Sequence, residues 1–352
     1  MNSSTKIRES RAAILVEQKK NLIVDTIQMP DKLNVGQVLV KVLYSGICGS
    51  QIGEIDGAKG EDKYLPHLLG HEGSGIVKSV GPGVKTVKEG DTVVLHWKKG
   101  DGIQSEPPIY KWKGRDLNAG WVTTFNEYAI VSENRCTFIP EDISKKEAAL
   151  FGCAVTTGFG VVENNAHIKM GESVVVFGAG GIGLNIVQAA KLVSAYPIIG
   201  VDLHQNRLDL AKKLGATHTI NSSKGDFHDE LKSILNERPL DVFIDNTGIP
   251  SIIQMGYELV NHQGTVVLVG VPKNGNNINI FSLPLHFGKT ITGSFGGECH
   301  PERDIPRYLE LLRKGLLSLE DVISECYKLN DINNAIKSMR SGSTAGRVII
   351  EL

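Results

Sequence analysis

The chain has 352 residues, a formal net charge of −1, 39 Gly, 13 Pro and five Cys. A prior of roughly 150 residues per domain predicts two domains with ample material for a core. Glycine stands above its ~7% average while proline does not, which excludes collagen-like and Pro-rich disordered chains, and near-neutral charge excludes a general pull toward nucleic acid or anionic membrane.

The opening decapeptide, MNSSTKIRES, lacks the apolar run of a secretory signal. An odd number of Cys is a poor disulfide framework, so the expectation is a cytoplasmic protein. From Arg11 to about Pro140 the pattern is β-rich. QVLVKVLYSG, GSGIVKSVG and DTVVLHW read as short strands between turns such as Gly81-Pro82-Gly83. Within it, Cys48 sits in Gly46-Ile47-Cys48-Gly49-Ser50 and His71 in Leu69-Gly70-His71-Glu72-Gly73. The stretch from Trp97 to Arg115 is basic and carries Trp97 and Trp112, but Asp101 and Glu106 interrupt it. Pro107-Pro108 makes it read as a solvated loop. An alternative is that this stretch lines a substrate mouth and, through Lys98, Lys99 and Lys113, favours anionic or polyhydroxylated substrates.

From about Gly171 to Gly293 strands alternate with helices, the signature of a parallel α/β sheet. SVVVF, PIIGV, ATHTI, LDVFIDN, TVVLVG and TITGSF are the strands; a helix over Arg207–Leu214 ends at Gly215. The most apolar window, Ser173 to Val193, contains four Gly plus Asn185, Gln188 and Lys191, which argues against a membrane span. Gly178-Ala179-Gly180-Gly181-Ile182-Gly183 follows a strand and opens a helix. Such glycines allow a tight turn, backbone approach to a pyrophosphate and close helix–sheet packing. The helix N-terminus adds free N–H groups and partial positive charge. Asp202 ends the next strand about twenty residues further on, where an acid accepts ribose hydroxyls and repels a 2′-phosphate. NAD is therefore expected over NADP, although nearby Arg207 keeps NADP open. After Phe295 come helices near Arg303–Lys314 and Asp331–Arg340 and a terminal strand, RVIIEL.

Cys48, His71 and Cys153, the last in Gly152-Cys153-Ala154-Val155-Thr156-Thr157-Gly158, make a sound three-donor set for Zn²⁺ with one position left for water or substrate. Their spacing alone is unspecific, because the three are far apart in sequence and a lone Cys is commonly a core residue. Cys136, Cys299 and Cys326 have no partner at ligand spacing and read as ordinary thiols.

GICGS, LGHEGSG, GCAVTTG and VFGAGGIG, in that order, resemble the zinc-containing medium-chain alcohol dehydrogenases, from about Arg11 to the terminal GRVIIEL. The resemblance implies a mixed α/β chain: a GroES-like β-rich catalytic domain over 1–155, a Rossmann domain with a doubly wound parallel sheet over 156–293, and a segment over 294–352 that completes the catalytic domain. It implies one catalytic Zn²⁺ on Cys48, His71 and Cys153, with Glu72 beside the metal and at times a transient ligand. Ser50 would begin the proton relay and Thr157 would meet the nicotinamide. Val269, Gly270 and Val271 would lie beneath its ring, and Arg347 would bind the pyrophosphate. The implied activity is hydride transfer between NAD and an alcohol (secondary, polyol or sugar-like) in a homodimer or homotetramer assembled through sheet edges. Cys153, where a Glu would be the sorbitol-dehydrogenase choice, resembles the alcohol-dehydrogenase variant.

The departures carry expectations too. Between Cys48 and Cys153 stands only Cys136, so the four-cysteine lobe for a second, structural zinc is expected to be absent. Gln51 stands where many relatives have Asp. Gly53 offers no imidazole, so Ser50 would pass its proton to ribose hydroxyls or water. A zinc-free quinone or enone reductase of the same fold and a non-catalytic dinucleotide-binding protein remain as alternatives.

Overall fold

A computed structural model describes residues 7–352. Among these, three sheets organise the chain. The middle of the sequence forms a parallel six-stranded sheet in the order His218–Asn221, Ile198–Asp202, Val174–Phe177, Val242–Asp245, Thr265–Leu268 and Thr290–Gly293. This is the doubly wound order, in which the topology reverses beside the first strand and leaves a crevice at the carboxyl ends. Val174, Val175 and Val176 are completely buried because helices cover both faces. The helix Gly181–Leu192 packs its Leu184, Ile186 and Val187 into the same core. The helix Gln205–Leu214 stops at Gly215, whose φ of 131° suits a residue without a Cβ.

The N-terminal part is β-rich. The long strand Gln37–Gly46 pairs with Glu72–Val80 on one side and with both Tyr128–Ser132 and Arg347–Glu351 on the other. The last strand of the chain thus lies in the sheet of the first domain, with Ile350 opposite Ser45. Helices Pro301–Arg313 and Ile332–Ser341 come before it. No helix among the described residues is long and apolar enough to cross a membrane.

The segment 97–115 departs from the solvated-loop expectation. Its second half is a hairpin, Tyr110–Trp112 with Arg115–Leu117, that pairs with the strand Ile23–Gln28. Tyr110 and Trp112 point inward and are buried, while Lys111 between them is exposed. The Tyr110 hydroxyl accepts from Ile130 N at 2.8 Å and Trp112 Nε1 donates to Asp25 at 2.9 Å. Burial of two aromatic rings with satisfied polar tips outweighs the basic, proline-led composition. Lys113 lies on this hairpin against Asp25.

Candidate metal and cofactor site

Cys48 caps the short helix Gly49–Ile55, directly after the strand Gln37–Gly46. His71 immediately precedes the strand Glu72–Val80, after Gly70 with a φ of 95°. A Cβ at Gly70 would stand 2.6 Å from the Thr124 and Phe125 nitrogens, so this turn demands glycine. Cys153 precedes the helix Ala154–Gly160. Pairing of the first two strands and packing of the third element bring one donor atom from each residue within 4.8 Å of the others.

The donor set fits a soft-to-borderline cation. His71 Nε2 is buried without a hydrogen-bond partner, a cost that a bound metal would remove. The thiols are unequal: the contact with Cys153, aided by Arg347 and His71 against burial, pulls Cys48 well below the ordinary thiol range. The same contact, together with burial, pushes Cys153 well above it. Two such thiols share one negative charge on their own; a divalent cation would let both ionise.

Glu72 does not join the donor group in this arrangement. Its carboxylate accepts Arg347 Nε and Nη2, both at 2.7 Å, and the Ala154 backbone N–H at 2.8 Å. Both partners are buried. A bidentate guanidinium bond is among the strong ways to satisfy a buried acid, and here it engages both carboxylate oxygens. Burial opposes the charge on Arg347, but Glu72, Cys48 and Cys153 raise its pKa well above the usual arginine value. Its side chain also borders the glycine loop: a Cβ on Gly181 would lie 3.3 Å from Arg347 Nη1.

The loop and one of the three donors, Cys48, border one cleft of about 800 Å³. Cys48, Ser50, Gly178, Gly180, Gly181, Ile182 and Gly183 line it, as do Asp202, Arg207, Val269, Gly270, Val271 and Arg347. Thr157 lies one turn along the helix from Cys153, buried, and is not part of this lining. The glycines divide their tasks. Gly178 has a φ of 96°. A Cβ on Gly183 would stand 2.0 Å from the Gly178 carbonyl oxygen, whereas one on Gly180 would meet nothing within 4 Å. That open space beside a helix N-terminus has the room and the free N–H groups that an anionic group could use. Asp202 accepts from Ala179 N at 2.9 Å and His204 N at 3.0 Å, and Arg207 lies 3.6 Å away.

Sequence reasoning missed Asp245 and Phe295, and it named Trp97 only as part of the stretch from Trp97 to Arg115. Asp245 ends a central strand and accepts from Thr247 N, Thr247 Oγ1 and Gly248 N, which shapes the opposite lip of the crevice. Its signal was available in Asp-Asn-Thr-Gly after an apolar run. The Trp97 ring lies 6.5 Å from that of His71 and stacks edge-on against Phe295 at 5.1 Å. Lys98 Nζ sits 3.8 Å above the Phe295 ring and bonds the Phe295 carbonyl. Trp97 and Lys98 therefore lie near the metal donors, whereas Lys113 does not.

Residues 34–141 match the family described as the alcohol dehydrogenase GroES-like domain, and residues 181–314 match the zinc-binding dehydrogenase family. S-(hydroxymethyl)glutathione dehydrogenase of Escherichia coli O157:H7 is 31% identical, over 97% of this chain and 99% of that protein. This chain belongs to the zinc-containing medium-chain alcohol dehydrogenase family. Among solved family structures, benzyl alcohol dehydrogenase from Acinetobacter calcoaceticus superposes with a TM-score of 0.88 at 29% identity, covering 98% of this chain and 100% of that one. An alcohol dehydrogenase zinc-binding domain protein from Burkholderia ambifaria gives the same TM-score and identity, covering 98% and 99%. As a medium-chain alcohol dehydrogenase, the chain is an oxidoreductase with a GroES-like domain and a Rossmann-like domain.

Proposed function

We propose that the protein oxidises an alcohol, or reduces the matching carbonyl, with NAD at a single catalytic zinc held by Cys48, His71 and Cys153. The observation that carries this reading is the shared cleft: Cys48 and Ser50 line the same cavity as the glycine loop. Zn²⁺ bound by these donors would supply Lewis acidity to an alcohol oxygen, and NAD in the crevice would accept the hydride from its carbon. Ser50, in the first turn of the helix that follows Cys48, presents the hydroxyl that takes the substrate proton. Gly53, one turn further on, has no side chain to relay it, so the proton leaves through ribose hydroxyls or water. Val269–Val271 form the floor beside the nicotinamide. Arg347 ties Glu72 behind the thiols to the glycine loop, so one guanidinium supports both halves of the site. Asp202 favours NAD by charge. The aromatic pair Trp97 and Phe295 borders the substrate side.

The same reading makes the protein a homo-oligomer, of which a dimer is the simplest form. Thr290–Gly293 is an edge strand, and Phe281 and Phe287 near it are 71% and 68% exposed. A second copy would pair that edge and cover the rings.

The test is substitution of Cys48. Cys48→Ala is expected to lose one zinc per chain by metal analysis and its alcohol-dependent NAD reduction, while NADH titration still shows binding. Retained turnover without that zinc would refute the mechanism.

A further inference from the structure

Away from the catalytic thiols, His67, Asp62 and Glu54 converge so that one donor atom of each lies within 4.8 Å of the others. His67 Nε2 is 2.7 Å from an Asp62 carboxylate oxygen and 3.9 Å from Glu54. The other ring nitrogen, Nδ1, is 2.9 Å from the Leu68 carbonyl oxygen. A carbonyl only accepts, so Nδ1 carries a proton and donates. A neutral imidazole then has a lone pair on Nε2, pointed at a carboxylate at hydrogen-bond distance. That contact is repulsive unless a cation, either a proton or a metal ion, sits between them.

Three features favour a metal ion. A histidine that donates its second N–H to a backbone carbonyl is in the usual orientation of a ligating imidazole. The three donor atoms lie within 4.8 Å of one another, within reach of one first-row divalent cation once the 2.7 Å His67–Asp62 hydrogen bond opens. Ligands of such a cation stand about 3.3 Å apart at metal–ligand distances near 2.0–2.1 Å. Two carboxylates face one ring, so a proton leaves the cluster with net negative charge, whereas a divalent cation neutralises it. Asp62 is fixed in place: its second oxygen accepts from Tyr64 N at 2.9 Å, and its own N–H donates to Gln18 Oε1 at 3.3 Å. Glu54, 44% exposed, leaves the entry path open.

We propose that Glu54, Asp62 and His67 form a second binding site for a divalent cation of the Zn²⁺/Mn²⁺ class, distinct in chemistry from the sulfur-rich catalytic set. The site would pin the loop between the helix Gly49–Ile55 and the strand His67–Leu68. Ala58 and Lys59 of that loop border the cofactor cleft, and Ala58 accepts from Asn274 N of the Rossmann domain at 2.9 Å.

The test uses Mn²⁺ alone, because a nitrogen–carboxylate site takes it readily and a thiolate site does not. It is titrated into the full-length Cys48→Ala chain and followed by loss of the free-ion electron paramagnetic resonance signal. One saturable site per chain is expected, weakened at least tenfold when Glu54→Gln or His67→Gln is added. Glu54→Gln changes an exposed residue and serves as the variant that keeps the fold, checked by circular dichroism. Zinc content should fall from two per chain in the wild type to one in Cys48→Ala. Absence of saturable uptake in the Cys48→Ala chain, or uptake indifferent to Glu54→Gln and His67→Gln, would reduce the cluster to a protonated ion pair and overturn the proposal. Failure of the catalytic-zinc reading looks different: wild type and Cys48→Ala would then hold equal zinc.

Discussion

Asp202 is held in place by backbone before any ligand arrives, through N–H groups of Ala179 and His204. A carboxylate offers about four acceptor positions, so on the proposed reading two would remain for ribose hydroxyls while its charge would oppose a 2′-phosphate. Arg207, at 3.6 Å, softens that repulsion without removing it. Asp202→Ala is therefore expected to shift kcat/KM toward NADP relative to NAD by about tenfold, or ~1.4 kcal/mol; an unaltered ratio would take the selection away from this residue. The position of Asp202 at the cleft was legible in the sequence because it depends on local register, one strand beyond the loop. Glu72 was half legible. Its place beside the donor set could be named, but its partner Arg347 lies on the last strand of the chain, and only the sheet brings the two within 2.7 Å.

Within the loop and the helix Gly181–Leu192, two glycines are expected to separate binding from folding. Gly180 is extended at φ −77°, and its side faces open space. Gly180→Ala should therefore leave the melting temperature within about a degree of the wild type, since nothing is overpacked. Its methyl would still occupy the pyrophosphate cradle and weaken NADH binding about tenfold or more. Gly183→Ala should do the reverse first. Its methyl would meet the Gly178 carbonyl oxygen at 2.0 Å, at a cost of about 1–3 kcal/mol, seen as a lower urea midpoint without cofactor. Equal effects of the two substitutions on stability would contradict this division. The motif was readable because each glycine answers to its near neighbours. The hairpin Tyr110–Leu117 was not, because three-residue strands give too short an alternation to outweigh flanking lysines and prolines. What makes them strands is the waiting edge of Ile23–Gln28.

Across the whole molecule, the sheet edge and one buried histidine set testable limits on assembly and acid stability. If Thr290–Gly293 pairs with its copy, light scattering should report at least a dimer, and Phe281→Asp combined with Phe287→Asp should yield a monomer. A wild-type monomer would refute the edge assignment. His96 is buried in the catalytic domain, with Nδ1 2.7 Å from the Lys98 carbonyl and Nε2 3.0 Å from Thr137 Oγ1. Burial, with help from Arg135, lowers its pKa to about 4. The unfolded chain, with His near 6.5, binds this proton more readily than the folded one. Stability is thus fully present above about pH 6.5 and falls as the pH drops toward 4, by at most about 3 kcal/mol. His96→Asn should flatten that acid limb in melting curves recorded between pH 7 and 4.5, and an unchanged slope would clear His96 of the effect.

By itself, the sequence determined the order of the elements, the position of the glycine loop and of the acid one strand beyond it, and the residue types able to hold zinc. These rest on periodicity, on glycine sterics and on donor chemistry, all of which are local. Only the tertiary structure decided that Glu72 pairs with Arg347, that Trp112 is core and Trp97 borders the site, and that His67 faces two carboxylates. Those outcomes depend on contacts between segments tens to hundreds of residues apart. Such contacts form only where sheet register and burial force them, and no local pattern encodes them.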